Sequence, residues 1–183
     1  KLAPEQFQAV ESVKNSPLSI VTGGPGVGKT TVSRELMHLL PRCAFLDGDW
    51  CWTMQPFTVT NETKAMVMDN ITHTLDNFLK CSEFDNIVFC WVMHHQQIID
   101  DILSRLQLEG VRVVSVSLIC TPEVLTEHIR CDIDAGLRDE SNIARALSYL
   151  PLYDEVKSIK VDTSVLSAAE TAEQIRNIGE MNP

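Results

Sequence analysis

The chain has no apolar run near the roughly 18–20 residues a membrane-spanning helix needs; segment 87–93 is among its longest. Its first residues lack a basic stretch leading into an apolar core, so no secretory signal is read there. It opens on Lys1 rather than Met, as a processed or partial chain would. No C-x-x-C pair occurs among its six cysteines, which excludes the common zinc-site spacings. Cys43, Cys90 and Cys120 lie in or beside apolar runs, where a reduced thiol packs as a small hydrophobe. That usage fits a reducing, cytoplasmic setting. Cationic clusters are also missing: 15 Lys+Arg stand against 25 Asp+Glu, a net charge of −10. Such a chain is a poor electrostatic match for a nucleic-acid backbone, so neither nucleic acid nor membrane is expected as a partner. Repeats, low-complexity tracts and linkers are absent as well. What is present is 183 residues, 44% hydrophobic and 22% charged. That is one ordinary folded domain spanning 1–183.

Short apolar segments alternate with helical patterns along most of this length. Strands are expected over 18–22, 44–46, 87–93, 111–119 and 158–161. Each is nearly unbroken in apolar character, as a parallel strand covered on both faces would be. Val67, Ile71, Leu75, Phe78 and Leu79 make one helical stripe, and Ile98, Ile99, Ile102, Leu103 and Leu106 another. Thr121-Pro122 is an N-cap followed by proline at the first helical position. Ser167 and Glu170 form a capping box, and Gly179 is placed to end that last helix. The alternation implies right-handed crossovers and a three-layer α/β fold with a parallel sheet.

The strongest signal is Gly23-Gly24-Pro25-Gly26-Val27-Gly28-Lys29-Thr30, a complete G-x-x-x-x-G-K-[ST], followed by Thr31. It leaves an apolar strand and opens a helix over 31–40, the context the motif requires. Its backbone N–H groups can turn toward phosphate oxygens at the positive end of that helix. Lys29 reaches the β- and γ-phosphates, and the Thr30 hydroxyl ligates Mg²⁺. The chain is expected to bind a nucleoside triphosphate, with ATP and Mg²⁺ as its cofactors.

After the second strand comes Asp47-Gly48-Asp49, two carboxylates at the sheet edge where ligands of open α/β sheets bind. One can help hold Mg²⁺ and the other orient or deprotonate a hydroxyl. Trp50, Trp52, Met54 and Phe57 crowd the following residues, as the wall of an acceptor pocket or as packing against the sheet. Glu62, Lys64 and Asp69 lie on the next helix, where they line the cleft or face solvent. The scarcity of Arg and Lys on this side argues against a highly phosphorylated acceptor.

Residues from about 18 to 178 resemble the small-molecule kinases of the P-loop class. The shikimate, gluconate and adenylylsulfate kinases and the tunicamycin- and chloramphenicol-resistance phosphotransferases are examples. Beyond the phosphate loop, the resemblance is carried by Asp47-Gly48-Asp49, the segment 118–138, and Asp162-Thr163-Ser164. It implies a five-stranded parallel sheet in the order 2-3-1-4-5, and a lid within about 120–145. It implies that lid arginines, Arg138 first, Arg130 second and Arg145 third, close over the phosphates. Asp162, Thr163 and Ser164 would then lie beside the adenine. The third strand departs from many P-loop NTPases in ending without an acid and running into His94-His95. Mg²⁺ would rest on Thr30 with Asp47 or Asp49, and His95 would contact the acceptor.

Leu2, Gln6, Ala9 and Val10, ahead of the phosphate loop, are similar to the start of superfamily-one helicases of the exonuclease-V alpha-subunit type. The likeness stops near residue 31, and the later motor motifs are missing. Residues 1–16 are read as a helical extension, amphipathic over 4–14. The leading expectation is a cytoplasmic kinase moving phosphate to a small-molecule hydroxyl. A nucleotide-binding module with little transfer is the second, and a helicase-related NTPase the third.

Overall fold

A computed structural model describes residues 17–181. The helical extension over 1–16 and the helicase-like pattern around Gln6 lie outside the described residues. Five parallel strands form one sheet in the order β2-β3-β1-β4-β5. They are β1 (Pro17–Gly23), β2 (Cys43–Asp47), β3 (Asn86–Trp91), β4 (Arg112–Ile119) and β5 (Ile159–Asp162). The helices are α1 (Lys29–Leu39), α2 (Asn61–Lys80), α3 (Gln96–Leu103), α4 (Pro122–Asp134), α5 (Ser141–Tyr149) and α6 (Ala168–Met181). This is the P-loop NTPase fold in the expected strand order.

Alternation along each strand builds two cores. Leu18, Ile20, Ile87 and Phe89 point to one face, where Val67, Ile71 and Leu75 of α2 and Ile99 and Ile102 of α3 cover them. Val21, Val88, Cys90 and Val116 point to the other, covered by Val32 and Leu36 of α1 and Ala172 and Ile175 of α6. A central strand buried on both faces needs apolar residues at every position, which is why these strands read as unbroken runs. Leu125 and Ile129 of α4 and Ala146 of α5 form a third, smaller cluster.

Most expected boundaries shift by a residue or two, and two of the shifts have a visible cause. The third strand ends at Trp91 rather than at Met93. There the Met93 N–H donates to Thr22 Oγ1 at 2.9 Å, and that hydroxyl donates back to the Met93 carbonyl at 3.3 Å. This side-chain clasp replaces the ladder and turns the chain off the sheet. Gly179 does not end α6, which continues to Met181. A glycine terminates a helix only by adopting a left-handed conformation, and Gly179 has no positive φ. The two cap signals hold: Thr121 Oγ1 accepts from Val124 N–H at 3.4 Å, and Ser167 and Glu170 bond reciprocally. Among the described residues no helix is long and apolar enough to cross a membrane.

Candidate active site

All five strands run the same way, so their C-terminal ends share one edge, and a cleft of about 1330 Å³ opens there. β1 delivers the phosphate loop to it. Gly26 has φ +84°, and a Cβ there would come within 2.8 Å of Ile129 Cγ1, so the loop packs directly on α4. Helix α1 starts at Lys29, two residues earlier than expected, which leaves its first N–H groups without helical partners and facing the cleft. Lys29 is buried, and its Nζ donates to the Gly24 carbonyl at 3.0 Å. Burial lowers its pKa, while the charges of Asp49 and Asp47 oppose the shift.

The two acids after β2 divide sharply. Asp47 is only 4% exposed and does not reach the cleft surface. Its Oδ2 accepts from the Thr30 hydroxyl at 2.6 Å, and its Oδ1 accepts from the Asp49 N–H at 3.0 Å. Asp49, on the short 3-10 helix Gly48–Trp52, opens onto the cleft. Its Oδ1 accepts from Trp91 Nε1 at 3.1 Å. Partial desolvation between the cleft walls, then the charge of Asp47, raise the Asp49 pKa above the ordinary carboxylate value. Opposite Asp47 in the ladder stands Cys90, whose thiol burial pushes up to about 12. A carboxylate therefore stands beside the C-terminal end of β3, on the neighbouring strand.

Thr30 and Asp47 are hard oxygen donors held together beneath the phosphate loop, a donor set that suits Mg²⁺. Among the described residues no group of three or more His, Cys, Asp or Glu side chains could hold a metal by itself. A cation here would therefore depend on phosphate oxygens and water for most of its shell.

Of the lid arginines, Arg138 lines the cleft, and its charge acts on both Lys29 and Asp49. Its Nε lies 2.9 Å from Asp132. Arg130 does not line the cleft; it is exposed, and Arg145 on α5 lines the cleft instead. The reason is helical phase. At 100° per residue, the cleft positions His128, Cys131 and Asp132 share a face of α4 from which Arg130 points away.

The aromatic segment also splits. Trp52 and Phe57 line the cleft with ring centroids 5.9 Å apart, whereas Trp50 packs edge-on against Phe45 outside it. Met54 packs on the core. Lys64 faces the cleft; Glu62 and Asp69 do not, and Asp69 pairs with Arg105 at 2.8 Å. His95 is exposed outside the cleft, and His94 takes the place expected of it, edge-on to Tyr149 at 4.8 Å. On the opposite side, Thr163 lines the cleft with Leu166, Ser167 and Ala168. Asp162 and Ser164 lie behind it: Asp162 Oδ1 accepts from Ser164 N–H at 2.8 Å, and Ser164 Oγ accepts from Thr121 N–H at 3.0 Å. Trp91 and Tyr149 were not anticipated as site residues. The one sequence signal for Trp91 is a bulky indole at a strand's C-terminal end.

The cleft's charge opposes that of the whole chain. Lys29, Lys64, Arg138 and Arg145 line it against Asp49 and Asp132, in a protein of net charge −10. Cations are concentrated where an anionic ligand would sit.

The sequence matches the AAA domain family over residues 20–142. The chain belongs to that family. The matched span of this AAA domain holds the phosphate loop, Asp47, Asp49 and Arg138, and stops before Arg145 and β5. The fold is similar to the tunicamycin resistance protein of Deinococcus radiodurans, at TM-score 0.67 and 19% identity over 90% of this chain and 95% of that one. It is similar to shikimate kinase from Acinetobacter baumannii in complex with shikimate, at TM-score 0.62 and 22% identity over 92% and 96%. A gluconokinase from Sinorhizobium meliloti 1021 aligns at TM-score 0.59 and 18% identity over 92% and 98%. At these identities the likeness is one of fold.

Proposed function

We propose that this AAA domain is an Mg·ATP-dependent phosphotransferase that moves the γ-phosphoryl group to a hydroxyl of a small molecule. One observation carries the reading: a cleft carboxylate, Asp49, shares a single cavity with the phosphate loop and Arg138. A cavity of about 1330 Å³ exceeds the roughly 300–1,000 Å³ typical of one ligand, so donor and acceptor fit together.

In this reading the loop amides, the N-terminus of α1 and Lys29 bind the β- and γ-phosphates. Mg²⁺, when bound beside Thr30 with Asp47 behind it, supplies neutralising charge to those phosphates. Asp49 accepts the proton of the acceptor hydroxyl as its oxygen bonds to the γ-phosphorus. The bond from that phosphorus to the β–γ bridging oxygen breaks, and ADP leaves with the electron pair. Arg138 offsets the charge spread over the transferring group, and Arg145 replaces Arg130 as its companion. Thr163 and the start of α6 flank the nucleoside. Trp52, Phe57 and Val59 give the acceptor side an apolar wall that suits a planar or apolar body. An ATP-dependent reaction of this kind fits the cytoplasm.

The test is transfer from γ-labelled ATP with Mg²⁺ across nucleosides, sugars, hydroxy acids and nucleoside-type antibiotics. Lys29→Ala and Asp49→Asn run beside the intact protein. Label on one acceptor, lost in both variants, establishes the kinase and its substrate class. Label retained on ATP despite tight binding reduces the protein to a nucleotide-binding module. Hydrolysis stimulated by DNA or RNA would point instead to a motor-type NTPase.

A further inference from the structure

We infer that Trp91 is a positioning residue for this transfer: its indole N–H holds Asp49 so that the second carboxylate oxygen, Oδ2, faces the acceptor. The inference rests on the phosphotransferase reading above and adds to it a residue outside the phosphate loop, the acid pair and the lid.

Asp49 carries a short side chain whose terminal torsion is broad, so nothing intrinsic fixes which oxygen points into the cleft. Trp91 Nε1 donates to Oδ1 at 3.1 Å, and no ion pair holds the Asp49 carboxylate among the described residues. With Oδ1 engaged, Oδ2 is the oxygen left to meet a hydroxyl. The donor's neutrality matters. A lysine or arginine in that place would stabilise the carboxylate anion and weaken it as a proton acceptor. The indole N–H also favours the Asp49 anion through its hydrogen bond, but it adds no formal charge to those of Lys29 and Arg138, which already do so. What it contributes is orientation.

The indole is itself tightly located. Trp91 is the last residue of β3 and stands opposite Thr22 in the ladder. Two residues on, the Thr22–Met93 clasp fixes the strand's exit. Gly48, between the two acids, completes the arrangement. A Cβ there would come within 2.5 Å of Trp91 Cγ and 2.7 Å of Cδ1, so the ring lies directly on the backbone before Asp49. A side chain at 48 would push the indole away and with it the N–H that reaches Asp49. Glycine at 48 and tryptophan at 91 therefore act as one device, joining β3 to the turn after β2.

The experiment uses the whole protein in two arms. In ¹⁵N-labelled protein, which contains three indoles, Asp49→Ala is expected to move one indole N–H resonance and speed its exchange with water. Trp91→Phe should delete that same resonance. In the transfer assay Trp91→Phe is expected to lower kcat by about 10- to 100-fold, the scale of a lost orienting contact, with the KM for ATP unchanged. In an Asp49→Ala background it should add nothing, because it acts through Asp49. Gly48→Ala is expected to reproduce the kcat loss, and it serves as the second variant should Trp91→Phe fail to fold. Multiplying effects in the double variant, a parallel rise in the ATP KM, or an indole spectrum indifferent to Asp49→Ala would each overturn the inference alone. Absence of transfer by the intact protein would end the phosphotransferase reading and the positioning role with it, whatever the indole signals do.

Discussion

Arg138 is held by Asp132 across the Gly136 turn that follows α4, with Nε 2.9 Å from the carboxylate. A phosphate entering the cleft competes with that carboxylate for the guanidinium. The two side chains are 28% and 37% exposed, so the pair contributes at most about 1 kcal/mol. Asp132→Asn should leave the melting temperature nearly unchanged while tightening nucleotide binding up to about fivefold, the equivalent of that energy. Arg138→Ala should do the reverse and cost roughly 10²- to 10³-fold in transfer rate. Calorimetric titration with a non-hydrolysable ATP analogue checks the first. Weaker binding by Asp132→Asn would show that the pair orders the arginine rather than restraining it.

Asp47 supports Thr30 from below the cleft, so its effect should pass through the metal. Asp47→Asn keeps an oxygen for the Thr30 hydroxyl but removes the charge. Its affinity for Mg·ATP is expected to fall about 10- to 100-fold, the usual cost of losing an outer-shell partner. With the metal chelated, affinity should match that of the intact protein. Equal losses with and without Mg²⁺ would mean that Asp47 shapes the loop and has no part in holding the cation.

The raised pKa of Asp49 has a defined sign in activity and in stability. Desolvation and Asp47 both favour its protonated form, so the acid limb of transfer should lie above the ordinary 3.8 of aspartate. Asp47→Asn removes the second of these causes and should move that limb to lower pH, whatever it does to the plateau. In stability the folded state retains a proton that the unfolded chain has released. Asp49's contribution therefore declines as pH rises from 3.8 and levels off above its folded value. A pH–rate profile of the two proteins, taken at saturating ATP, reads the shift directly.

The parts of the site that a linear reading reached are those whose chemistry lies in contiguous backbone. The phosphate loop needs glycines, a lysine and a threonine at fixed offsets, and they bind through main-chain groups whose direction the loop itself sets. Asp47 and Asp49 are legible for the same reason, one residue apart at a strand end. Their division of labour is not, since β2 ends on the buried Asp47 and the 3-10 helix Gly48–Trp52 then turns Asp49 to the cleft. The lid shows the limit again: the sequence ranks Arg130 ahead of Arg145, and the phase of α4, set by Leu125 and Ile129 turning to the core, reverses that order. His94 displaces His95 because the Thr22–Met93 clasp turns the chain immediately before them. Trp91 belongs to the same class, a side chain whose role depends on a glycine 43 positions away in sequence.

Cysteine reactivity offers a test of the cleft that needs no acceptor. Burial pushes Cys43 and Cys90 up to about 12 and Cys120 up to about 11. A thiol held near 12 is ionised roughly a thousandfold less than a free cysteine, so these three should resist alkylation near neutral pH. Cys131 is exposed and lines the cleft on the same face of α4 as Asp132. Brief treatment of the native protein with iodoacetamide, read by peptide mass spectrometry, should mark Cys131 well before Cys43, Cys90 or Cys120. Mg·ATP should slow that labelling by covering the face of α4 that Arg138 closes over. Labelling of Cys131 at the same rate with saturating nucleotide would place the triphosphate away from α4. That result would remove Arg138 from the transfer step while leaving the phosphate loop's own binding intact.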